Sequence, residues 1–390
     1  MRYPFMPEVL DALPEPLAEL YRELEDTLLN NICKRLKVSG ELNEVTVQDI
    51  RALRAHGIDL KDIKRAISDV TKTGEKELNK LFDDVVARNQ EYYTDLIDLA
   101  HITQPETLVA AADIEAIRAQ TLGEFANITQ SMGFLLTKGG EKVLLPPAQA
   151  YQWALDKAAT EVQSGAISYR EAVRNAVKAL AESGIKTVDY ESGHVDHIDV
   201  AVRRAVVTGI SQVNAKFTEQ SAEYLGTEHY EVSAHGGARD VGVGPMNHKA
   251  WQGKVYSKRA GDKYPSIYEV CGLDTGEGLE GWNCRHRHWP FVDGVSERTY
   301  TDEQLENIDP PPFEYEGKKY SMYEATQKQR QIERTIRALK RKQTAYQAAG
   351  EHADASNAKG RIQVLTRKYR EFSKVAKLPE QRDRMKVEYR

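Results

Sequence analysis

The chain has 390 residues, of which 29% are charged and 41% hydrophobic, enough for two or three domains with cores of their own. No stretch approaches the roughly 18 consecutive apolar residues that span a bilayer, and the N-terminal residues lack the apolar segment of a secretory signal, so we expect no membrane partner. Three cysteines, at positions 33, 271 and 284, do not form a disulfide framework, which favours a reducing cytoplasm.

Charge is distributed unevenly along the chain. Residues 318–390 hold 20 Lys and Arg against 8 Asp and Glu, a net charge of +12, whereas the other 317 residues hold 34 basic and 51 acidic residues, a net charge of −17. This asymmetry indicates two different electrostatic partners, and the alternative is a solvated basic helix without a partner.

Residues 1–104 are predicted to form a helical arm that carries no chemistry. Apolar residues recur every three or four positions over 17–36 and again over 59–101, the spacing of amphipathic helices. Thr46 is suited to cap a short helix that runs to residue 53. Gly74 is expected to split or kink the second long helix.

Residues 105–229 are predicted to form a helical domain. Helical spacing covers 114–132 and 148–164, and Ser168 with Glu171 three residues later has the pattern of a capping box that opens a helix through residue 183. Residues 184–193 have the composition of a short hairpin. A longer helix is expected from about residue 195 to 225.

Residues 230–300 form an island rich in glycine and tryptophan, which we call the motif module. Three of the four tryptophans, two of the three cysteines and four of the ten histidines lie within 230–291. Dense glycine indicates backbone that turns or approaches other groups closely, and tryptophan supplies buried area where regular structure is short. We expect a small irregular α+β module with strands at 230–233 and 254–256 and a core of Trp251, Trp282 and Trp289.

The remaining segments are a linker and a basic tail. Residues 301–317, with three consecutive prolines at 310–312, are predicted to be a stiff spacer. Residues 318–390 are predicted to form a helical hairpin, with helices over 322–347 and the region of residues 362–372, whose apolar seams face each other. The fold class is therefore mainly α: a long helical N-terminal region, the motif module and a C-terminal basic hairpin.

Histidine and cysteine in the motif module raise the question of metal binding. The candidate ligands are Cys271, Cys284, His286 and His288, but their spacing matches neither paired-ligand pattern of structural zinc sites. Cys284 and His286, one residue apart, would point to opposite faces of an extended segment. Either His235 or His248, both distant in sequence, could complete a tetrahedron.

Cysteine chemistry is the second possibility. Cys284 lies beside Arg285 and near three histidines, surroundings that lower the pKa of a thiol, yet no Asn or Asp that would orient a base stands out. The alternative function is thus a Cys/His- or metal-dependent hydrolase or nuclease centred on His235, Cys284 and His286. The preferred interpretation is structural, with Arg239 and Arg285 bonding backbone carbonyls or carboxylates.

The motif module resembles the phage minor capsid protein 2 family. The resemblance is carried by SAHGGAR at 233–239, HKAWQGKVY at 248–256 and GWNCRH at 281–286, with further matches at 264–266, 290–291 and 296–300. This family is similar, more distantly, to the Mu F-like head morphogenesis proteins of tailed phages. The run at 240–246 is longer than the usual link. The motif residues are His235, Arg239, Trp251, Trp282, Asn283, Cys284, Arg285 and His286.

The resemblance implies a minor structural protein of a tailed-phage or prophage head. Such a protein associates with the portal, acts in head morphogenesis or in genome packaging and delivery, and is located in the virion and, during assembly, in the host cytoplasm. It implies no settled enzymatic role for the motif residues, and we expect neither enzymatic activity nor a cofactor. We expect the acidic helical two-thirds to contact the portal or the major capsid or scaffold protein.

The basic tail is expected to contact DNA without sequence preference. Charges free of the apolar stripes would meet phosphates in a DNA-filled head, and an acidic scaffold or portal surface is the competing partner. The candidate residues are Lys340, Arg341, Lys342, Arg367, Lys368 and Arg370.

Overall fold

A computed structural model describes residues 2–40, 61–164, 167–188, 193–281 and 284–385. The fold is mainly α, with small antiparallel sheets, as the sequence predicts. The short helix expected at 46–53 lies outside the described residues. The motif residues Trp282 and Asn283 lie outside them as well.

Helices make up most of the described chain. In chain order they are α1 (Pro7–Ala12), α2 (Glu15–Gly40), α3 (Lys61–Leu99), α4 (Ala111–Gln130), α5 (Pro147–Gln163), α6 (Tyr169–Ser183), α7 (Ile198–Leu225), α8 (His248–Trp251), α9 (Ile267–Cys271), α10 (Asp302–Glu306), α11 (Met322–Ala348) and α12 (His352–Val375). Short 3-10 turns lie at Gly244–Met246 and Arg382–Met385. The predicted cap at Ser168 is present, because its side chain accepts the backbone N–H of Glu171.

The strands form three antiparallel sheets. They are β1 (Gly133–Lys138), β2 (Glu141–Leu145), β3 (Ile185–Val188), β4 (Val195–His197), β5 (His229–Val232), β6 (Val255–Ser257), β7 (His288–Pro290), β8 (Phe313–Tyr315) and β9 (Lys318–Tyr320). Their order is β2-β1-β3-β4 in the first sheet, β6-β5-β7 in the second and β8-β9 in the third.

The N-terminal helices lie inside the molecule. Helix α2 packs against α3, α6, α7 and α11, and Tyr21, Leu28 and Ile32 on its apolar face are fully buried. A continuous apolar stripe on a helix must find a partner, and here several helices supply it. The range 1–104, expected to be an arm, is therefore built into the main core.

One hairpin of the first sheet is absent from the sequence-based prediction. The Lys-Gly-Gly run at 138–140 is the turn between β1 and β2, with Phe134 paired to Leu145. Gly139 and Gly140 both have positive φ, at 61° and 91°, a backbone that glycine adopts at little cost. Strand β3 lies within the segment 184–193 that was expected to form a hairpin, but it pairs in antiparallel register with β4 at 195–197, beyond that segment and at the predicted start of a helix.

The motif module contains the two predicted strands and one more. Strands β5 and β6 pair as expected, with Tyr230 opposite Tyr256, and β7 adds to the other edge of β5. Trp251 is 1% exposed and anchors a small core of the module. Trp289 belongs instead to the main core, where its ring stacks on Tyr3 with centroids 4.8 Å apart.

The segment 301–317, expected to be a spacer, carries structure. It holds α10, capped by Thr301 and Gln304 in a reciprocal capping box, and β8, whose Phe313 packs on Tyr320 and Phe372. Helices α11 and α12 form the predicted hairpin. Ser321 and Glu324 form a second capping box that begins α11.

One hydrophobic core runs through much of the chain. It includes residues of 1–104 and 105–229, Trp289 of the motif module, and Ala345 and Tyr346 of α11. The domain boundaries predicted from the sequence remain predictions. The main core contains residues from both sides of these boundaries. Among the described helices, none is both long and apolar enough to cross a membrane.

Candidate functional site

The loops of the motif module are fixed to one another by side-chain hydrogen bonds to the backbone. The Ser233 hydroxyl accepts the N–H of Arg287 at 2.9 Å, and Gln252 Oε1 accepts the N–H of His235 at 3.0 Å. Trp251 Nε1 donates to the carbonyl of Pro245 at 3.1 Å. These bonds satisfy backbone and indole groups that the short strands leave without partners.

Three metal-ligating side chains meet beside Trp251. One donor atom each of His248, Cys284 and His286 lies within 4.8 Å of the other two, and all three residues are buried. Cys284 Sγ and His286 Nδ1 are 3.6 Å apart. His235 stacks on His286, with ring centroids 4.5 Å apart.

The path of the backbone explains why Cys284 and His286 point the same way. Residues 284–287 are not part of a strand, so the alternation of an extended chain, which predicted opposite faces, does not apply to them. His248 reaches the same place from the first turn of α8. The sequence therefore separates donors that the fold brings together.

Burial controls the protonation of this cluster. Burial lowers the pKa of His235 to about 4 and lowers the pKa of His248, and it lowers that of His286 well below its usual range, with the neighbouring histidines adding to the effect. Burial also raises the pKa of the Cys284 thiol. The site therefore holds neutral imidazoles beside a protonated thiol, which is not the activated thiolate of a cysteine nucleophile.

The other two candidate ligands have different partners. The Cys271 thiol is hydrogen-bonded to the Tyr256 hydroxyl, and burial raises the pKa of this thiol to about 12. His288 Nδ1 lies 2.9 Å from Glu280 Oε1. Neither residue belongs to the group of donors around His286.

The two motif arginines bond a carbonyl and a carboxylate. Arg239 Nη1 donates to the carbonyl oxygen of Glu277 at 3.4 Å, and Arg285 Nη1 lies 2.8 Å from Asp11 Oδ2 in α1. The second contact ties the motif module to the N-terminus of the chain. These are the kinds of partner that the structural interpretation expects.

Sequence reasoning overlooked three residues that organise the site: Gln252, Glu280 and Arg287. Gln252 bonds both His235 and His286, Glu280 pairs with His288, and buried Arg287 donates to the carbonyl of His286 at 2.8 Å. Gln252 lies within the motif at 248–256, and its place in that motif could have identified it as a site residue. Nothing in the sequence distinguishes Arg287 from its neighbour Arg285.

The first group of tail charges is bonded to other parts of the chain. Arg341 lies 3.2 Å from Glu25 in α2 and donates to the carbonyl of Ala181, while Lys342 lies 2.9 Å from Glu182. Lys340 donates to the carbonyl of Met385. The expectation that these charges face outward is wrong, because this part of α11 packs against α2 and α6.

The second group lies on α12 and is mixed. Lys368 pairs with Glu316 at 2.6 Å, whereas Arg367 and Arg370 are exposed. Lys359 and Lys374 are exposed on the same helix. We call residues 359, 367, 370 and 374 the α12 basic face.

Comparison with known proteins gives a family and a relative. The family model described as Phage minor capsid protein 2 matches residues 5–374. A protein described as a structural protein of Lactococcus phage LL-H is 23% identical over 373 residues, which cover 91% of this chain and 94% of the relative. No solved structure matches.

Proposed function

The chain belongs to the phage minor capsid protein 2 family, and on that premise we propose that it is a portal-associated head protein that contacts packaged DNA. The family and the phage relative support the coarser statement: this is a structural protein of a phage head, and its place is the virion. Portal association and roles in morphogenesis, packaging and delivery belong to the proposal, as does assembly in the host cytoplasm.

The α12 basic face carries the DNA part of the proposal. Its residues are spaced by 8, 3 and 4 positions, which places them on one side of a helix. At 1.5 Å per residue the face extends about 22 Å. None of the four makes an ion pair within the part of the chain that the structure describes.

The chemistry of this face fits phosphate rather than a particular base sequence. Exposed cations attract the DNA backbone and release its counterions, a contact that weakens steeply with salt. If the four residues each meet one phosphate, log K falls with log salt at a slope of about −3.6. The acidic residues of α12 are Asp354, which pairs with Arg174 near the N-terminal end of the helix, and Glu371, which is exposed between Arg370 and Lys374.

A charge reversal tests this assignment. We expect the full chain to bind random duplex DNA at low salt and to release it as salt rises. The triple variant Arg367→Glu, Arg370→Glu, Lys374→Glu should lose most of that affinity. The matched control is Lys72→Glu, Lys76→Glu, Lys80→Glu, which changes the net charge equally on exposed positions of α3.

Two results would contradict the DNA contact. One is an absence of binding by the parent chain at low ionic strength. The other is an equal loss in the two triple variants, which would show that only net charge matters. If the α12 basic face binds an acidic scaffold or portal protein and the chain has no affinity for DNA, that protein and not DNA is the partner of the face.

An exposed apolar loop supports contact with another head protein. Val243 is 85% exposed in the run 240–246, with Val241 and Met246 nearby, and the loop packs beside α9, where Tyr268 is 42% exposed. Exposed β-branched and aromatic side chains grouped in this way are typical of interaction surfaces. We assign this loop to the portal.

Co-expression with the portal protein of the same phage tests the docking surface. The parent chain should co-purify with the portal, and Val241→Asp with Val243→Asp should prevent it. Leu99→Asp, a similar change at a residue that is 55% exposed on α3, should have no effect. A parent chain that neither co-purifies with the portal nor occurs in particles would overturn portal association.

A further inference from the structure

The buried cluster of the motif module has the composition of a metal site. His248, Cys284 and His286 supply two imidazoles and one thiol, the donors that favour zinc over magnesium or calcium. We propose that these three residues bind one Zn²⁺ ion that ties α8 to the segment before β7. This assignment does not depend on the proposed head function.

Hydrogen bonds fix which nitrogen of His286 is free for a metal. Gln252 Oε1 accepts the backbone N–H of His235, so this atom of the amide is the oxygen. His286 Nε2, 3.0 Å from that oxygen, must then donate. The lone pair of the neutral ring therefore lies on Nδ1, the atom that faces Cys284 Sγ.

The same reasoning applies to His248. Its Nε2 is 3.0 Å from the carbonyl oxygen of Glu277, and a carbonyl only accepts, so Nε2 carries the proton and Nδ1 the lone pair. Metal-binding histidines typically donate their second nitrogen to a carbonyl or amide, which fixes the tautomer. In both rings Nε2 donates to an oxygen, which leaves the lone pair on Nδ1.

The spacing of the donors matches tetrahedral zinc. With a Zn–S bond of about 2.3 Å and a Zn–N bond of about 2.05 Å, a tetrahedral angle separates sulfur and nitrogen by about 3.6 Å. Cys284 Sγ and His286 Nδ1 are 3.6 Å apart. An S–H···N hydrogen bond has a similar length, so the experiment must distinguish this bond from metal ligation.

The surroundings would bury the ion. Trp251 packs on His286 with ring centroids 4.9 Å apart and on His248 at 4.7 Å, and these contacts shield the donors from solvent. On binding, the Cys284 thiol releases its proton to solvent and the thiolate forms the Zn–S bond. Three protein ligands leave the fourth tetrahedral position for a water molecule.

Cobalt titration of the full chain tests the site. Chelator-treated, reduced protein should take up one Co²⁺ per chain, with visible bands of a tetrahedral ion and a thiolate charge-transfer band, and Zn²⁺ should displace it. Cys284→Ser should remove the charge-transfer band. Gln252→Ala should weaken affinity about 10- to 100-fold, because it removes the group that orients His286.

Cys271→Ser is the matched control, since Cys271 is a buried thiol of the same module with a different partner. It should retain stoichiometric Co²⁺ and the charge-transfer band. If the parent chain binds neither ion, the proposal is wrong whatever the variants do. It is equally wrong if the charge-transfer band persists in folded Cys284→Ser or disappears in folded Cys271→Ser.

Discussion

At the scale of single residues, Trp251 holds the core of the motif module together. Its indole donates to the carbonyl of Pro245, its ring contacts His248 and His286, and its own carbonyl accepts the Tyr256 hydroxyl at 2.7 Å. Replacing this side chain removes its packing and the indole hydrogen bond at once, whereas the backbone carbonyl remains. The module has few other large buried side chains with which to fill the space.

Trp251→Ala is expected to lower the free energy of unfolding by about 3–5 kcal/mol, the usual cost of removing a buried aromatic side chain. Chemical denaturation followed by circular dichroism measures the change. Val243→Ala, at a residue that is 85% exposed, should change stability by less than about 0.5 kcal/mol. A Trp251→Ala protein that unfolds at the same denaturant concentration as the parent would show that the module core lies elsewhere.

At the scale of elements, one carboxylate joins three helices. Asp199 in the first turn of α7 pairs with Arg337 of α11 and lies 3.7 Å from Arg22 of α2. Burial raises the pKa of Asp199, but the two guanidinium groups and His197 outweigh it and hold the pKa below its usual range. The charged form is therefore the one that the fold stabilises.

Asp199→Asn should destabilise the chain by about 3 kcal/mol or more at pH 7, because two arginines lose their buried partner. A depressed carboxyl pKa stabilises the fold above the unfolded value of about 4, and this stabilisation is lost as pH falls through the folded pKa. The melting difference between parent and variant should therefore be largest at neutral pH and shrink in strong acid.

Thermal unfolding at several pH values measures this trend. Asp95→Asn, on an exposed position of α3, is the control and should melt like the parent throughout. A melting difference that is the same at pH 7 and at pH 3 would refute the ionic role of Asp199 and leave only a packing effect.

At the scale of the whole molecule, α11 connects the tail to the rest of the chain. Leu339, Ala345 and Tyr346 of this helix are buried, and Arg341 pairs with Glu25, which is 8% exposed. Removal of the tail would leave this carboxylate without its guanidinium partner and would expose apolar surface on α2 and α6.

A chain that ends at residue 317 is thus expected not to fold cooperatively. The domain boundaries predicted from the sequence, by contrast, place residue 317 at the end of a linker. Calorimetry and limited proteolysis provide the measurement, and a chain that ends at residue 385 serves as the control. If the 1–317 chain melts cooperatively within a few degrees of the parent, the tail is a separate domain, as the sequence division has it.

The same packing limits how the role of the N-terminal helices in docking can be tested. Deletion of residues 1–100 would remove α1, α2 and α3 from the main core. Loss of incorporation would then report unfolding rather than loss of docking. Point substitutions at the exposed apolar loop separate the two effects.

The sequence by itself determined the helical architecture, the strands β5 and β6, the hairpin of α11 and α12, and the family resemblance that the comparison confirms. These features depend on local signals: helical spacing of apolar residues, capping residues and short contiguous sequence motifs. The β1–β2 hairpin was missed because a Gly-Gly run between short apolar segments looks the same whether it interrupts a helix or turns a hairpin.

Only the tertiary structure decided which side chains meet. It placed His248 beside Cys284 and His286, moved Trp289 into the main core and turned Arg341 towards Glu25. Such pairings join residues dozens to hundreds of positions apart, and they depend on the path of irregular segments and on how helices pack. Periodicity shows which face of a helix is apolar, but it does not show which helix covers that face or which charges are buried with it.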